Sequence, residues 1–177
     1  PASAINSLKD FKGDVWDKYN HFKDNCKLAG IDFSENLEKQ LCSIFILDFI
    51  IANEDRHFGN FGFLRNPDTL EWLGLAPVFD SGSSLFYKFP ASFLKDNDKT
   101  KSETIIARPF GYHHSDQIKL LPCLKLCKDL PYHTLTDIPD FYNSLLKQNT
   151  RIDETRRTLL CRLLKKRIEE LNDLLKS

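Results

Sequence analysis

The stretch Phe49-Ile50-Ile51-Ala52-Asn53-Glu54-Asp55-Arg56-His57-Phe58-Gly59-Asn60 decides how this chain is read, because an apolar run stops there at a polar, glycine-containing segment. Ahead of the break, Ile44, Phe45, Ile46, Leu47, Phe49, Ile50 and Ile51 leave almost no polar face, and a helix that is apolar all round is a buried one. The pattern predicts a helix over roughly Phe33–Ala52 at the centre of the domain, opened by Asp32 and Glu35 at capping-box spacing. Further upstream, Ile5, Leu8, Phe11, Val15, Trp16, Tyr19 and Phe22 recur at three- and four-residue steps. That period predicts an amphipathic helix from Ala4 to Cys26, ended by Gly30.

Downstream, Phe61-Gly62-Phe63-Leu64-Arg65 and Leu70–Leu75 flank the turn formers Asn66-Pro67-Asp68-Thr69 and read as the two strands of a hairpin. Val78-Phe79 reads as the end of an apolar strand that delivers Asp80 into a sharp turn, Ser81-Gly82-Ser83-Ser84. Lys95–Lys101 has the composition of a solvated loop. Helical texture returns over Ser115–Lys128 with an interruption at Pro122, then over Pro139–Gln148 and Asp153–Lys176. The last of these carries Leu160, Leu164, Ile168, Leu171 and Leu175 along one stripe. The expected fold is mainly α with a small β-hairpin inserted after the most buried helix, in one domain over residues 1–177.

Composition narrows the function. Lys plus Arg equals Asp plus Glu at 25 each, which argues against general binding to nucleic acid or to a membrane surface. Arg156, Arg157, Arg162, Lys165, Lys166 and Arg167 do cluster, but Glu154, Glu169, Glu170 and Asp173 are interleaved with them. That is the pattern of a solvated helix and argues against direct DNA binding. The longest apolar run, Ile44–Ala52, is broken by Asp48 and too short to span a bilayer; with no signal peptide, a cytosolic setting is expected. Five scattered cysteines build no zinc set, although Cys123 and Cys127 could share a helix face, and they read as structural thiols. His113-His114 reads as a surface pair.

The chemistry lies where the core helix ends. Phosphoryl transfer to a hydroxyl needs a carboxylate near the acceptor oxygen and oxygen ligands for a magnesium ion on the phosphates. Asp55 followed five residues later by Asn60, and then Asp80 opening a turn after a hairpin, meets that requirement. One carboxylate and one amide oxygen suffice for magnesium beside phosphates and water. Arg56 and His57 read as braces of the loop rather than as catalytic groups, while Asn53 either orients Asp55 or terminates the helix.

The string Phe49–Asn60, together with Leu75-Ala76-Pro77-Val78-Phe79-Asp80-Ser81-Gly82-Ser83-Ser84-Leu85, resembles the catalytic core of the HipA-type kinases. Ala107-Arg108-Pro109-Phe110, followed by His114–Leu121, resembles the segment those proteins place after the magnesium aspartate. The resemblance covers roughly Ala4–Leu121 and implies the helical C-terminal lobe of a protein-kinase-like fold. It implies Asp55 as the catalytic aspartate and Asn60 and Asp80 as magnesium ligands. Asn53, Arg56 and His57 would support them. ATP and Mg2+ would be the cofactors and a Ser/Thr protein the substrate. In bacteria such kinases are often toxins of toxin–antitoxin modules, which adds an antitoxin protein as a partner. Asp-Arg-His-x-x-Asn also occurs in lipid kinases, but Ala76–Ser84 differs from their aspartate-phenylalanine-glycine turn.

One departure from the kinase pattern stands out. The 54 residues before Asp55 read as helix, with Gly13 and Gly30 as their glycines, and no Gly-x-Gly occurs in the chain. The upper, ATP-clamping lobe is therefore expected elsewhere in the same polypeptide or in a partner chain, and this chain alone is expected not to turn over. The alternatives are a non-catalytic, pseudokinase-like binding module and a lipid or small-molecule kinase.

Overall fold

The computed structural model describes residues 1–5, 11–96, 99–120, 122–126 and 135–176. It is mainly helical with one two-stranded antiparallel sheet. After a short 3-10 turn at Ala2–Ala4 come α1 (Val15–Leu28), α2 (Glu35–Ile51), β1 (Phe63–Arg65) and β2 (Trp72–Leu75). Then follow α3 (Ala91–Leu94), α4 (His114–Leu120), α5 (Cys123–Leu126), α6 (Ile138–Leu146) and α7 (Glu154–Lys176).

The first helix starts later than its apolar period suggests. Asp14 accepts a hydrogen bond from the Asp17 amide at 2.9 Å and Asp17 returns one from the Asp14 amide at 3.2 Å, a reciprocal cap that fixes the start. From there Val15, Tyr19, Phe22 and Cys26 turn one stripe into the core, while Trp16 stays outside. In α2 the cap is Ser34, which accepts from the Leu37 amide, rather than Asp32. The helix is buried along most of its length as its sequence predicts, and it closes on Ala52 in the left-handed region at φ 52°.

The hairpin pairs Phe63 with Leu75, Leu64 with Gly74 and Arg65 with Trp72, with an irregularity between Leu64 and Arg65. Its turn is made by Asn66, whose side-chain oxygen accepts from the amides of Asp68 and Thr69. The Trp72 indole donates to the Ala29 carbonyl at 3.0 Å and so ties the hairpin to the end of α1. The segment into Asp80 is not a strand. Once the Ala76 amide has reached the Gly62 carbonyl, the sheet offers no third strand among the described residues, and Val78 and Phe79 run exposed.

Pro122 separates α4 from α5, as expected from its missing N–H. Helix α7 packs on α2, α3, α5 and α6 through Leu160, Leu164, Ile168 and Leu171. Three of its basic residues bond to neighbouring backbone: Arg156 donates to the Phe86 and Phe89 carbonyls, Arg162 to that of Leu94, and the buried Arg167 to that of Phe49. Cys26, Cys42 and Cys123 are buried free thiols, and burial pushes Cys26 up to about 12. Cys127 lies outside the described residues. No described helix is long and apolar enough to cross a membrane.

The core is aromatic where it supports the loop after α2. Phe22 meets the rings of Phe33, Phe58, Phe61, Phe63 and Phe110 with centroids 5.5–6.3 Å apart. Phe22→Ala is expected to lower the unfolding free energy by about 3–5 kcal/mol. Leu28→Ala, at a site 85% exposed, is expected to change it by less than about 0.5 kcal/mol. Denaturant titration of the two variants against the parent measures both.

Candidate active site

The site is built outward from one charge in an apolar helix. Asp48 faces the core in the last turn of α2 and is 1% exposed, as is Arg56. A buried ion survives only when paired and hydrogen-bonded. Arg56 answers Asp48 with two bonds, Nε to Oδ2 at 2.8 Å and Nη2 to Oδ1 at 2.9 Å. Its other donors go to backbone and side chain: Nη1 to the carbonyls of Asn60 and Phe79, both at 2.6 Å, and Nη2 to Ser81 Oγ at 3.0 Å. A guanidinium has five N–H donors, so Arg56 is fully used. It brings together the core helix, the Asn53–Asn60 loop and the two residues flanking Asp80.

The loop is pinned at every step. Asn53 does both things its sequence position allows. Its amide donates to the Asp48 carbonyl at the helix end, its side-chain Nδ2 donates to Asp48 Oδ1 at 2.8 Å, and its Oδ1 accepts from the Asp55 amide at 3.3 Å. Asn60 Nδ2 donates to the Asp55 carbonyl at 2.9 Å and closes the loop on itself. The Glu54 amide reaches the Ser83 carbonyl and the Leu85 amide the Ile51 carbonyl, which tie the loop to the turn after Asp80 a second time.

Against this buried frame the carboxylates point outward. The Asp55 side chain is 42% exposed, with Oδ1 3.3 Å from Arg108 Nη1 and Oδ2 4.0 Å from His57 Nε2. His57 is exposed and accepts from the Gly59 amide at Nδ1. Asp80 is exposed at φ 52°, and its carboxylate has no hydrogen-bond or ion-pair partner among the described residues. The buried Asn60 keeps its Oδ1 unused among the described residues, because its amide nitrogen makes the contact with Asp55. An amide oxygen and a carboxylate on the clamped turn are hard donors of the kind magnesium takes beside phosphates and water. Among the described residues no three His, Cys, Asp or Glu side chains gather to hold a metal by themselves. A groove of about 530 Å³ runs between α2 and the hairpin past Leu47, Leu64 and Val78 and is lined by none of Asp55, Asn60 and Asp80.

Three residues of this frame were not legible as parts of it. Asp48 shows in the sequence only as a break in an apolar run, and that lone charge in a core helix was the available signal. Arg108 stands in a segment noted for its family resemblance alone. His114 corrects the surface-pair expectation: it is 1% exposed, its Nε2 donates to the Asn53 carbonyl at 3.0 Å, and its ring meets Phe49 edge-on. Burial holds its imidazole well below the usual range, with the Arg167 cation acting the same way and the Asn53 bond opposing.

Among characterised proteins the chain is similar to the serine/threonine-protein kinase CtkA of Helicobacter pylori (strain J99 / ATCC 700824). The two are 38% identical over 79 residues, which take in 32% of this chain and 24% of that kinase. The match thus spans about a quarter of the length of CtkA and is a distant, partial relationship to a Ser/Thr protein kinase. No family model matches the chain, and no solved structure does.

Two outcomes test the frame. Asp48→Asn leaves the buried Arg56 charge without its partner and is expected to cost about 3–5 kcal/mol, whereas Asp48→Leu with Arg56→Met together is expected to cost less than the two single changes summed. Chemical denaturation of the parent, Asp48→Asn, the two single changes Asp48→Leu and Arg56→Met, and the double variant reads this. For His114 the folded value lies below the unfolded one near 6.5, so the unfolded chain binds the extra proton. Stability is therefore full above about pH 6.5 and falls as pH drops below it, by up to about 1.4 kcal/mol per unit. His114→Gln, which keeps a donor for the Asn53 carbonyl, is expected to flatten that part of the stability–pH curve.

Proposed function

We propose that this chain is the catalytic and magnesium-binding lobe of a HipA-type Ser/Thr protein kinase, which moves the γ-phosphoryl group of ATP to a protein hydroxyl. The observation that carries the reading is the Arg56 clamp. One guanidinium holds the loop of Asp55 and Asn60 against the turn of Asp80. A phosphoryl-transfer site needs a proton acceptor and metal ligands at a fixed spacing, and a rigid tie between two loops supplies fixed spacing. The partial similarity to CtkA supports the same class of reaction.

In this reading the Asp55 carboxylate takes the proton of the acceptor hydroxyl. Its half-exposed position lets a substrate reach it, while Asn53 and Asn60 hold its backbone from both sides. Asn60 Oδ1 and the Asp80 carboxylate hold magnesium with the nucleotide. Magnesium, when bound, neutralises charge on the phosphates. Arg56 is kept out of the reaction by its five internal bonds, and His57 braces the loop through Gly59. The partners are the protein substrate and an upper lobe, in the same polypeptide or another, that clamps the phosphates.

The experiment uses the intact polypeptide and its single variants. Asp55→Asn is expected to leave nucleotide affinity within about threefold and to lower turnover by roughly 10²–10⁴, since a proton acceptor works in the transition state. Asp80→Asn is expected to weaken magnesium–nucleotide binding itself. Asn60→Ala is expected to fall between them, relieved in part by raising magnesium. Calorimetry and label transfer read the two quantities. Loss of nucleotide binding in Asp55→Asn with an unaffected Asp80→Asn would reverse the assignment, and unchanged turnover in all three would end the kinase reading.

A further inference from the structure

The clamp raises a question of charge. Phosphoryl transfer spreads negative charge over the equatorial oxygens of the moving group, and a cation beside it is worth several orders of magnitude in rate. The arginine adjacent to Asp55 in sequence cannot supply it, because every donor of Arg56 is bound inside the protein. The cationic side chains within 4.0 Å of the Asp55 carboxylate among the described residues are Arg108 and, when protonated, His57.

Arg108 is delivered to that place by construction. The Ala107 amide donates to the Tyr112 carbonyl and the His114 amide to the Ile105 carbonyl, so residues 105–114 form a tight return before α4. Inside it sits Gln117, 2% exposed, whose Nε2 donates to the Arg108 carbonyl at 3.1 Å. Its Oε1 accepts from the amides of Phe110 at 3.2 Å and Gly111 at 3.1 Å. A Cβ on Gly111 would lie 2.9 Å from that of Gln117, so the packing requires glycine there. The backbone of Arg108 is therefore fixed while its side chain is 54% exposed. Apart from the bond to Asp55, the Arg108 guanidinium has no partner among the described residues.

From these observations we infer that Arg108 is the residue that contacts the transferred phosphoryl group, an inference that rests on the kinase reading above. The distances allow it. An acceptor hydroxyl bonded to Asp55 lies within about 3 Å of the carboxylate. The phosphorus it attacks lies roughly 3–3.5 Å beyond. A guanidinium already 3.3 Å from Asp55 is one side-chain rotation from the phosphoryl oxygens. In the step, the hydroxyl oxygen bonds to phosphorus and the bond from phosphorus to the ADP oxygen breaks with its electrons staying on ADP. The hydroxyl proton passes to Asp55. Arg108 turns from Asp55, which is losing its charge to that proton, to the phosphoryl oxygens. The pair with Asp55 keeps the guanidinium at the site before substrate binds, and an exposed pair of this kind is weak enough to exchange.

The test compares the intact protein with Arg108→Ala, Arg108→Gly and Arg108→Lys, with Asp55→Asn as the inactive reference. Arg108→Ala is expected to lower kcat about 10²–10³-fold while leaving the KM for ATP within about threefold, the signature of an interaction made in the transition state. Arg108→Lys is expected to recover part of the loss, because it keeps the charge but not the fork. Free guanidinium ion added to Arg108→Gly is expected to restore turnover in proportion to its concentration. Thermal unfolding of the variants should match the parent, as the side chain is largely outside. A kcat unchanged in Arg108→Ala, in a protein that Asp55→Asn silences, overturns the inference and leaves the kinase reading standing. So does a loss that neither lysine nor guanidinium relieves, which makes Arg108 a structural residue. A parent protein that transfers no phosphoryl group to any acceptor removes the kinase reading and this inference with it.

Discussion

The bond pattern between Asp48 and Arg56 is the constraint on which the rest of the site depends. Each charge alone would cost several kcal/mol to bury, and their mutual attraction offsets this only when all remaining donors and acceptors are met. That condition dictates the surroundings. Arg56 has three donors left after Asp48 and is itself 1% exposed, so three acceptors must be brought to it. They are the Asn60 carbonyl, the Phe79 carbonyl and the Ser81 hydroxyl, and they come from two separate stretches of loop, which the Glu54–Ser83 and Leu85–Ile51 backbone bonds also join. The need to satisfy a buried guanidinium thus becomes a fixed distance between two stretches of irregular backbone.

The same logic explains why backbone of unusual conformation is tolerated here. Ala52 and Asp80 both sit at φ 52°, a region that costs non-glycine residues about 1 kcal/mol or more. Both lie beside an anchored group: Ala52 donates to the Asp48 and Phe49 carbonyls, and Asp80 lies between two ligands of Arg56. The strain persists because the neighbouring hydrogen bonds leave no relaxed alternative.

Sequence periodicity reached what is periodic. The apolar run of α2, the stripe of α7 and the turn chemistry of Asn66–Thr69 follow from repeats of three to four residues or from a turn former acting locally, and the chain obeys them. Asp55 and Asn60 stand out by their spacing in a short loop set by a helix end and a hairpin, and Asp80 by the turn that follows that hairpin. What escaped was set by tertiary partners. Phe11 continues the apolar period of α1, but a cap at Asp14 outweighs the period. Val78 and Phe79 have the composition of a strand and, among the described residues, no strand to pair with. His114 looks like half of a polar pair, yet a carbonyl 61 positions upstream in the chain takes it inside. Arg56 reads as a brace of the loop, and the partner it bonds, Asp48, is eight residues away on a helix whose other faces are apolar.

Beneath the loop a second layer carries the clamp into the body of the domain. His114 donates to the Asn53 carbonyl and packs its ring on Phe49, while Arg167 of α7 donates to the Phe49 carbonyl with its guanidinium carbon 4.5 Å from the same ring's centroid. A protonated His114 would place a second buried cation beside Arg167, and burial with that neighbour keeps the ring neutral, with Nε2 as the donor the carbonyl requires. The charged groups are thereby sorted by depth. Asp48, Arg56 and Arg167 are inside and bonded to the scaffold; Asp55, Asp80 and Arg108 are outside and only lightly engaged. In the proposed reading, a site for a polyanion and a metal needs its working charges uncommitted and its geometry committed. The buried Asp48–Arg56 pair would supply the second and leave the exposed residues to supply the first.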